Sequence, residues 1–195
     1  MDELTVSIRP AATVVLMRDA GDGLQVWLQQ RATTLAFAAG MYAFPGGAVD
    51  REDAESMVPG IDTDRHARIW GDSDAQLARS HLVAALRETH EEAGVVLDPT
   101  TLVPWSRWVT PEGGNRRFDA RFYIAPCPSG QSPRPLTGEV ASGQWLLVRT
   151  ALEAHASGTL PMWPPTSSTL SQLVPFDHVA AAMAAAPERI QAVTK

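Results

Sequence analysis

The sequence is poor in cysteine and in long apolar runs. Its single cysteine, Cys127, excludes an intrachain disulfide and favours a reducing compartment. Cys127 lies between two prolines and has no assignable activating partner, so a structural role is favoured over a nucleophile. No stretch approaches the roughly 18 apolar residues that span a bilayer, so we expect no membrane segment. The first residues, Met-Asp-Glu, lead into no basic and apolar signal, and we expect a cytoplasmic protein.

Positive charge is also scarce. The chain of 195 residues has 16 Lys and Arg against 22 Asp and Glu, a formal net charge of -6. Nucleic-acid backbones are bound by clustered Lys and Arg, so this balance argues against a nucleic-acid partner. A small anionic ligand is not excluded, because a bound metal can invert the local charge. With 45% hydrophobic and 19% charged residues, the composition is that of a globular protein.

Apolar and alternating segments predict several strands. Residues 12–17 and 24–29 flank Gly21-Asp22-Gly23, a pattern typical of a hairpin. Residues 118–124 and 144–148 are two further predicted strands, and the apolar segment 95–97 is expected to pair into a sheet.

One long helix and two shorter ones are predicted. Apolar residues recur at spacings of three and four and define one helical face: Leu82, Ala85, Leu86, Thr89 and Ala93. Gly94 follows as a C-terminal cap. Residues 177–186 predict an Ala-rich helix, residues 168–173 a shorter one, and the acidic residues 50–74 an inserted loop. Together these elements predict a mixed α/β sandwich in a single domain.

Three glutamates share one edge of the long helix. In the segment 87–94, Glu88, Glu91 and Glu92 fall within one turn of each other. Like charges at these spacings repel, and a hard divalent cation, Mg²⁺ or Mn²⁺, would relieve the repulsion. The alternative is a solvated acidic surface on which Arg87 pairs with Glu91. The apolar opposite edge, and the glycines of Phe44-Pro45-Gly46-Gly47, favour a metal site.

These two segments resemble the halves of the Nudix signature: Gly46-Gly47 its start, and Arg87-Glu88-x-x-Glu91-Glu92-x-Gly94-Val95 its second half. The resemblance implies a Nudix-type α/β/α sandwich with a mixed sheet, an inserted loop and C-terminal helices. It implies that Glu88, Glu91 and Glu92 are metal ligands, with the Gly47 carbonyl as a further one. Arg87 would orient a glutamate of the cluster.

The spacing departs from the usual signature. Gly47 and Arg87 are 40 positions apart, which implies an insertion at about residues 50–80 within one domain spanning 1–195. Residues from about 151 to 195 would form a C-terminal helical extension. Asp53 is the candidate for the acidic residue that the signature places after the glycine. Thr89 stands where the family prefers an aliphatic residue.

Cleavage of a diphosphate requires a positioned water and a base that takes its proton. One of the clustered glutamates is a candidate base. Glu139, in the loop Thr137-Gly138-Glu139, is another, because Nudix proteins often place a catalytic glutamate in such a loop. The alternative for Glu139 is a solvent-exposed loop acid.

The segment before the glycines is similar to that of coenzyme A diphosphatases in Arg31, Leu35, Gly40 and Phe-Pro-Gly-Gly, but not at Ala32 and Ala36. The insertion, residues 105–110 and Pro164-Pro165-Thr166 resemble the peroxisomal-type branch. The last residues, Val-Thr-Lys, are not a peroxisomal address. The resemblance implies that Arg31, Phe44, Gly46 and Gly47 bind substrate.

Coenzyme A or an acyl-coenzyme A is therefore the expected substrate of an Mg²⁺- or Mn²⁺-dependent diphosphatase. The alternatives are a pyrophosphatase acting on ADP-ribose, a nucleotide sugar or a dinucleotide, and a Nudix-fold binding domain without turnover. The expected partner is a small nucleotide diphosphate, with no nucleic acid, no membrane and a possible homodimer.

Several residues near these motifs have two interpretations. Trp105, Trp108 and Trp163 could stack an adenine ring, but core packing is more usual for such residues. Arg116 and Arg117 could reach phosphates or carry surface charge. His90 lies far around the helix from Glu92 and is expected at the surface.

Overall fold

The computed structural model describes residues 6–35, 38–113 and 116–194. The strands are β1 Ile8–Ala20, β2 Gly23–Arg31, β3 Tyr42–Ala43, β4 Gly46–Ala48, β5 Val103–Val109, β6 Arg117–Pro126, β7 Val140–Leu147 and β8 Ala192–Val193. The helices are α1 Arg51–Glu55, α2 Thr63–Trp70, α3 Ala75–Ala93, α4 Val148–Ala156, α5 Pro164–Leu173 and α6 Val179–Ala184, with a 3-10 turn at Pro99–Thr101.

The strands form one mixed sheet. Its order is β3-β2-β1-β6-β5-β8, with β4 pairing to β1 and β7 to β2. The β1–β6 and β5–β8 pairs are parallel and the other pairs antiparallel. The expected hairpin is confirmed, because Ala20 of β1 faces Gly23 of β2.

Helices cover both faces of the sheet. Helices α2 and α3 pack on the face that carries Ala12, Val14 and Leu16, and α4, α5 and α6 pack on the face of Val15 and Met17. Strand β1 is therefore buried on both sides, which explains its continuous apolar run. The predicted mixed α/β sandwich is confirmed.

Helix α3 has the face that the sequence predicts. Leu82, Ala85, Thr89 and Ala93 are buried against the sheet. The Thr89 hydroxyl donates to the Ala85 carbonyl at 2.7 Å, so its polar group is satisfied where the family prefers an aliphatic side chain. Gly94 ends the helix in the left-handed conformation at φ 69°, as expected of a C-terminal glycine.

The predicted loop at residues 50–74 is wrong, because α1 and α2 lie there. Asp62 caps α2 by accepting the Arg65 N–H at 2.8 Å. Ile69 and Trp70 of α2 are buried, and that packing explains why an acidic segment is helical.

The expected sheet pairing of residues 95–97 is also wrong. The side-chain amide of Gln131 accepts from the Val96 N–H at 2.8 Å and donates to the Val96 carbonyl at 2.9 Å. Val96 is thus bonded to a side chain instead of a neighbouring strand, while Val95 and Leu97 pack into the core.

The C-terminal helices and strands begin and end at other residues than the sequence predicts. The strand predicted at 144–148 is β7, and Val148 already begins α4, which the sequence did not predict. The helix predicted at 177–186 shortens to α6, and the one at 168–173 begins earlier, at Pro164. Strand β8 returns to the sheet, so the part after residue 151 is not purely helical. The single domain, the insertion at about 50–80 and the extension from about 151 stay predictions.

Among the described residues, none of the helices has both the length and the apolar character that a bilayer crossing requires.

Candidate active site

A cleft of about 1270 Å³ lies beside the C-terminal half of α3. Helix α3 contributes Glu88, Glu91 and Glu92 to its lining, and the loop before β7 contributes Glu139. Strand β4 forms the adjoining wall. The fold therefore brings the three helix glutamates and the loop glutamate to one cleft.

The glycine pair lets β4 run unusually close to its neighbours. A Cβ on Gly46 would come within 2.5 Å of the Ala12 carbonyl oxygen. A Cβ on Gly47 would overlap the carboxylate of Glu88. Both positions therefore require glycine, because a side chain would push β4 away from β1 or from α3.

Glu92 is the most enclosed of the helix carboxylates. It is 6% exposed and accepts hydrogen bonds from the Gln29 amide and from the Gly46 N–H at 3.0 Å. Burial raises the pKa of Glu92 to about 7, against the lowering effect of the Gly46 N–H. Gln29 was not singled out from the sequence. Its place in an alternating strand indicates an exposed side chain, but it is buried at this carboxylate.

Arg87 joins the helix glutamates to α1. Its guanidinium donates from Nε and Nη2 to the two carboxylate oxygens of Asp53, at 3.0 and 2.8 Å. Nη1 donates to Glu88 at 2.7 Å and to Glu91 at 3.1 Å, and Nη2 also reaches the Ala48 carbonyl. The hydrogen bond to Asp53 is the main reason that the pKa of Arg87 rises above its ordinary value. Burial raises the pKa of Glu88, against the effect of Arg87.

The carboxylates suit a divalent cation in their chemistry. Within the described ranges, no three acidic, histidine or cysteine side chains are already grouped as a metal site. Arg87 Nη1 donates to both Glu88 and Glu91, whereas Glu92 accepts from the Gln29 amide and the Gly46 N–H. Hard oxygen donors along one wall, with no Cβ on Gly47 in front of Glu88, fit a magnesium-like ion.

Arg31 and Glu139 meet at the edge where β2 pairs with β7. The Ala32 N–H donates to the Glu139 carbonyl at 2.7 Å, and both Arg31 and Glu139 line the cleft. Glu139 is exposed. The Arg31 Nε is buried and finds no hydrogen-bond partner in the part of the chain that the structure describes. Strand pairing thus brings the backbones of Arg31 and Glu139 together at the edge of the cleft.

Other predicted site residues lie elsewhere. Phe44 does not line the cleft, because it packs in the core edge-to-face with Phe122. Trp105 is likewise in the core and does not line the cleft. Trp108 belongs to the same core but also lines the cleft, and Trp163 lines the cleft and is exposed.

The residues with two sequence interpretations also differ in where they lie. Arg116 lines the cleft, while Arg117 donates to the Thr110 carbonyl. His90 is exposed, as expected. Cys127 is half-buried and burial raises its pKa, which disfavours a reactive thiolate. Ala36, a departure from the coenzyme A diphosphatase pattern, lies outside the described residues.

No family model matches the chain. A Caenorhabditis elegans relative named as a nudix hydrolase is 22% identical over 88% of the chain, which spans 62% of that relative's length. The crystal structure of a NUDIX hydrolase from Alicyclobacillus acidocaldarius is similar with 28% identity and a TM-score of 0.77, over 93% of this chain and 98% of that one.

Two more distant structures share the fold. The NUDIX domain of NrtR from Shewanella oneidensis, solved with ADP ribose, is 16% identical with a TM-score of 0.58, over 87% of this chain and 88% of that one. A C. elegans Ap4A hydrolase in a binary complex is 17% identical with a TM-score of 0.56, over 86% and 96% of the two chains.

The fold and the site define a class of protein. A mixed sheet between helices, with a glutamate helix facing a glycine strand, is the arrangement that the signature implied. The relative and the Alicyclobacillus acidocaldarius structure are both named as Nudix hydrolases, and this similarity supports the Nudix family for this chain.

Proposed function

We propose that this chain hydrolyses the diphosphate linkage of a nucleoside diphosphate derivative with the aid of a divalent metal. The observation that carries the proposal is the shared cleft, whose lining includes Glu88, Glu91, Glu92 and Glu139 together with Gly46 and Gly47. Arg87 offsets the charge of Glu88 and Glu91 only in part, and a divalent cation would offset the rest.

The reaction breaks one phosphoanhydride P–O bond and forms one P–O bond from water. Two phosphate-bearing products leave, and the proton of the water passes to a carboxylate. A divalent metal, when bound, offsets the charge on the phosphate oxygens and lowers the pKa of a coordinated water.

The residues of α3 have distinct tasks in this proposal. Glu88, Glu91 and Glu92 hold the metal, with the Gly47 carbonyl as a further ligand. Arg87 fixes the orientation of Glu88 and Glu91 through its hydrogen bonds to both. Arg31 binds a substrate phosphate, since its buried Nε has a donor to offer and it lines the cleft.

Two carboxylates are candidates for the base. Glu139 is exposed at the cleft and carries its carboxylate on a loop held by the Ala32–Glu139 backbone hydrogen bond. A glutamate of α3 is the other candidate. The variant Glu139→Gln separates them. If Glu139 is the base, kcat should fall by about 10²- to 10⁴-fold, whereas a base on α3 would leave kcat close to that of the wild type.

The size of the cleft favours a substrate with two bulky halves. Its volume of about 1270 Å³ exceeds that of most small-molecule sites, which run to roughly 1,000 Å³. We propose coenzyme A or an acyl-coenzyme A as substrate. ADP-ribose and dinucleotides are the second candidate, because two structures with this fold are named for ADP ribose and Ap4A.

The metal site is tested with Glu91→Gln and Glu92→Gln, which keep the side-chain shape and remove the charge. We expect each to lower kcat by about a hundredfold or more, the scale of losing one electrostatic contribution to catalysis. Glu153→Gln, an exposed glutamate of α4 outside the cleft lining, is the matched control. Full activity in both cleft variants would contradict the metal assignment.

The substrate is tested with one panel: coenzyme A, acetyl-coenzyme A, ADP-ribose, NADH and diadenosine polyphosphates, with products identified by mass. Each is assayed with Mg²⁺, with Mn²⁺ and with a chelator, which we expect to abolish turnover. Cleavage of ADP-ribose but not of coenzyme A would overturn the coenzyme A assignment and leave the diphosphatase proposal intact. No metal-dependent cleavage of any compound would overturn the proposed function.

A further inference from the structure

Trp163 places an exposed aromatic ring at the cleft. Trp163 is 46% exposed, and the other exposed large hydrophobic side chains among the described residues are not aromatic. It lines the same cleft as the α3 glutamates. An exposed indole loses unfavourable contact with water when a planar ligand covers it.

The backbone around Trp163 is held in place. Its carbonyl accepts the N–H groups of Thr166 at 3.0 Å and Ser167 at 3.2 Å. Two residues earlier, the Pro161 carbonyl accepts the Tyr42 N–H at 2.8 Å, and Met162 is buried in the core. A ring on a fixed backbone loses little conformational freedom when it stacks on a ligand.

The start of α5 is not suited to phosphate. Pro164 and Pro165 occupy its first positions and have no N–H to donate. The next two N–H groups are already bonded to the Trp163 carbonyl. This end of the cleft therefore presents an indole and two proline rings, which suit the uncharged, planar part of a ligand.

The lining of the cleft differs between its walls. Strands β5 and β6 contribute Trp108 and Phe122, with the cation Arg116 directly before β6, whereas the carboxylates of α3 lie beside β4. A substrate with a reacting diphosphate and a separate aromatic group matches this division.

We propose that Trp163 stacks on the nucleobase of the substrate and so determines its specificity for nucleotide-containing diphosphates. The inference rests on the proposed function and deepens it by naming the substrate group bound at α5. An aliphatic chain, such as the pantetheine arm of coenzyme A, gains less from a planar indole than a base does.

Binding is tested without turnover. In metal-free buffer, AMP is titrated into the wild type and into Trp163→Leu while tryptophan fluorescence is recorded. We expect quenching by AMP in the wild type and its loss in Trp163→Leu, with little quenching by 4′-phosphopantetheine. Undiminished quenching in Trp163→Leu, or quenching by phosphopantetheine instead of AMP, would overturn the inference.

Turnover supplies the second readout. With the substrate that the panel identifies, we expect Trp163→Leu to raise KM roughly 10- to 100-fold with kcat nearly unchanged, as for lost base stacking. Trp163→Phe keeps a ring and should recover most of the loss. Met57→Ala, an exposed apolar residue outside the cleft lining, is the control.

A dialkyl diphosphate without a base separates stacking from a general structural effect. Its KM should be the same for the wild type and Trp163→Leu. An equal rise in KM for this compound would overturn the assignment. If the wild type cleaves nothing in the panel, the proposed function fails, whereas the AMP titration still decides whether Trp163 stacks a base.

Discussion

Asp53 contributes to the site from a distance of 34 positions along the chain, through Arg87. Its side chain is 2% exposed, and both of its carboxylate oxygens accept from the guanidinium. One of them also accepts the Asp50 N–H at 2.8 Å, at the start of α1. A planar guanidinium held by two parallel hydrogen bonds has a set orientation, which Arg87 transmits to Glu88 and Glu91.

We expect Asp53→Asn to weaken both stability and activity. The free energy of unfolding should fall by about 1–3 kcal/mol, because a buried charged partner of Arg87 is lost while Arg87 itself keeps some access to water. The activity should fall because Arg87 no longer holds the glutamates in one orientation. Urea unfolding and steady-state kinetics measure the two effects.

Asp50→Asn is the graded comparison. Asp50 approaches Arg87 only at 3.5 Å and is 58% exposed in its side chain, so its loss should matter much less. Equal losses of stability and activity in the two variants would contradict the argument that the buried Asp53–Arg87 pair contributes more than the exposed Asp50.

At the scale of elements, the pairing of β2 with β7 places Glu139 beside Arg31. The register aligns Gln29 with Gly143 and Trp27 with Trp145, whose rings meet edge to face at 5.7 Å. Gly143 leaves room for the Trp27 ring, since a Cβ there would overlap the indole. The strand pair depends on a missing side chain at this position.

We therefore expect Gly143→Ala to destabilise the protein, although alanine is ordinarily better than glycine in a strand. The clash with Trp27 should lower the free energy of unfolding by about 1–3 kcal/mol, as overpacking of a filled core does. Thermal or urea unfolding measures it. Gly138→Ala is the control, because a Cβ at that position meets nothing within 4 Å. A Gly143→Ala protein as stable as the control would refute the packing argument.

At the scale of the whole molecule, charged groups are enclosed between α3 and the sheet. Arg121 of β6 is fully buried and pairs with Asp72, and Arg107 pairs with Asp72 and Asp119. His81 of α3 faces this group and bonds to the Leu77 carbonyl at 2.8 Å. Burial, aided by the charge of Arg121, lowers the pKa of His81 to about 4.

This histidine makes the fold less stable in acid. The unfolded chain takes up a proton as the pH falls below 6.5, whereas folded His81 does so only near pH 4. Free energy of unfolding is therefore lost across that window, by roughly 3 kcal/mol in total. Glu92, whose pKa is raised to about 7, has the opposite sign, because its folded form keeps a proton that the unfolded chain has lost.

We expect His81→Gln to lose less stability than the wild type between pH 6.5 and pH 4. Glu92 is present in both proteins, so the difference between their stability curves isolates His81. Urea unfolding at several pH values measures it. An NMR titration of wild-type His81 is the independent check, and protonation near pH 6.5 in the folded protein would contradict this account.

Local patterns in the sequence were sufficient for the hairpin, for the apolar face of α3 with its Gly94 cap, and for the shared edge of Glu88, Glu91 and Glu92. Each of these depends on backbone periodicity or on one turn, which neighbouring residues determine by themselves. Helix α2 was missed because it depends on the packing of Ile69 and Trp70 against the core. Helix α1 was missed because its buried residue, Asp53, is held by the distant Arg87.

Tertiary structure alone decided how the site is assembled. Gln29 meets Glu92 across 63 positions and Asp53 meets Arg87 across 34. Three tryptophans with the same sequence interpretation lie in different places. Trp105 is in the core, Trp108 is in the core but also reaches the cleft, and Trp163 is exposed at the cleft. Contacts of this kind depend on how distant segments pack, which no local periodicity encodes. The sequence alone therefore predicted the clustered carboxylates of α3, whereas only the folded structure shows which distant residues hydrogen-bond to the site.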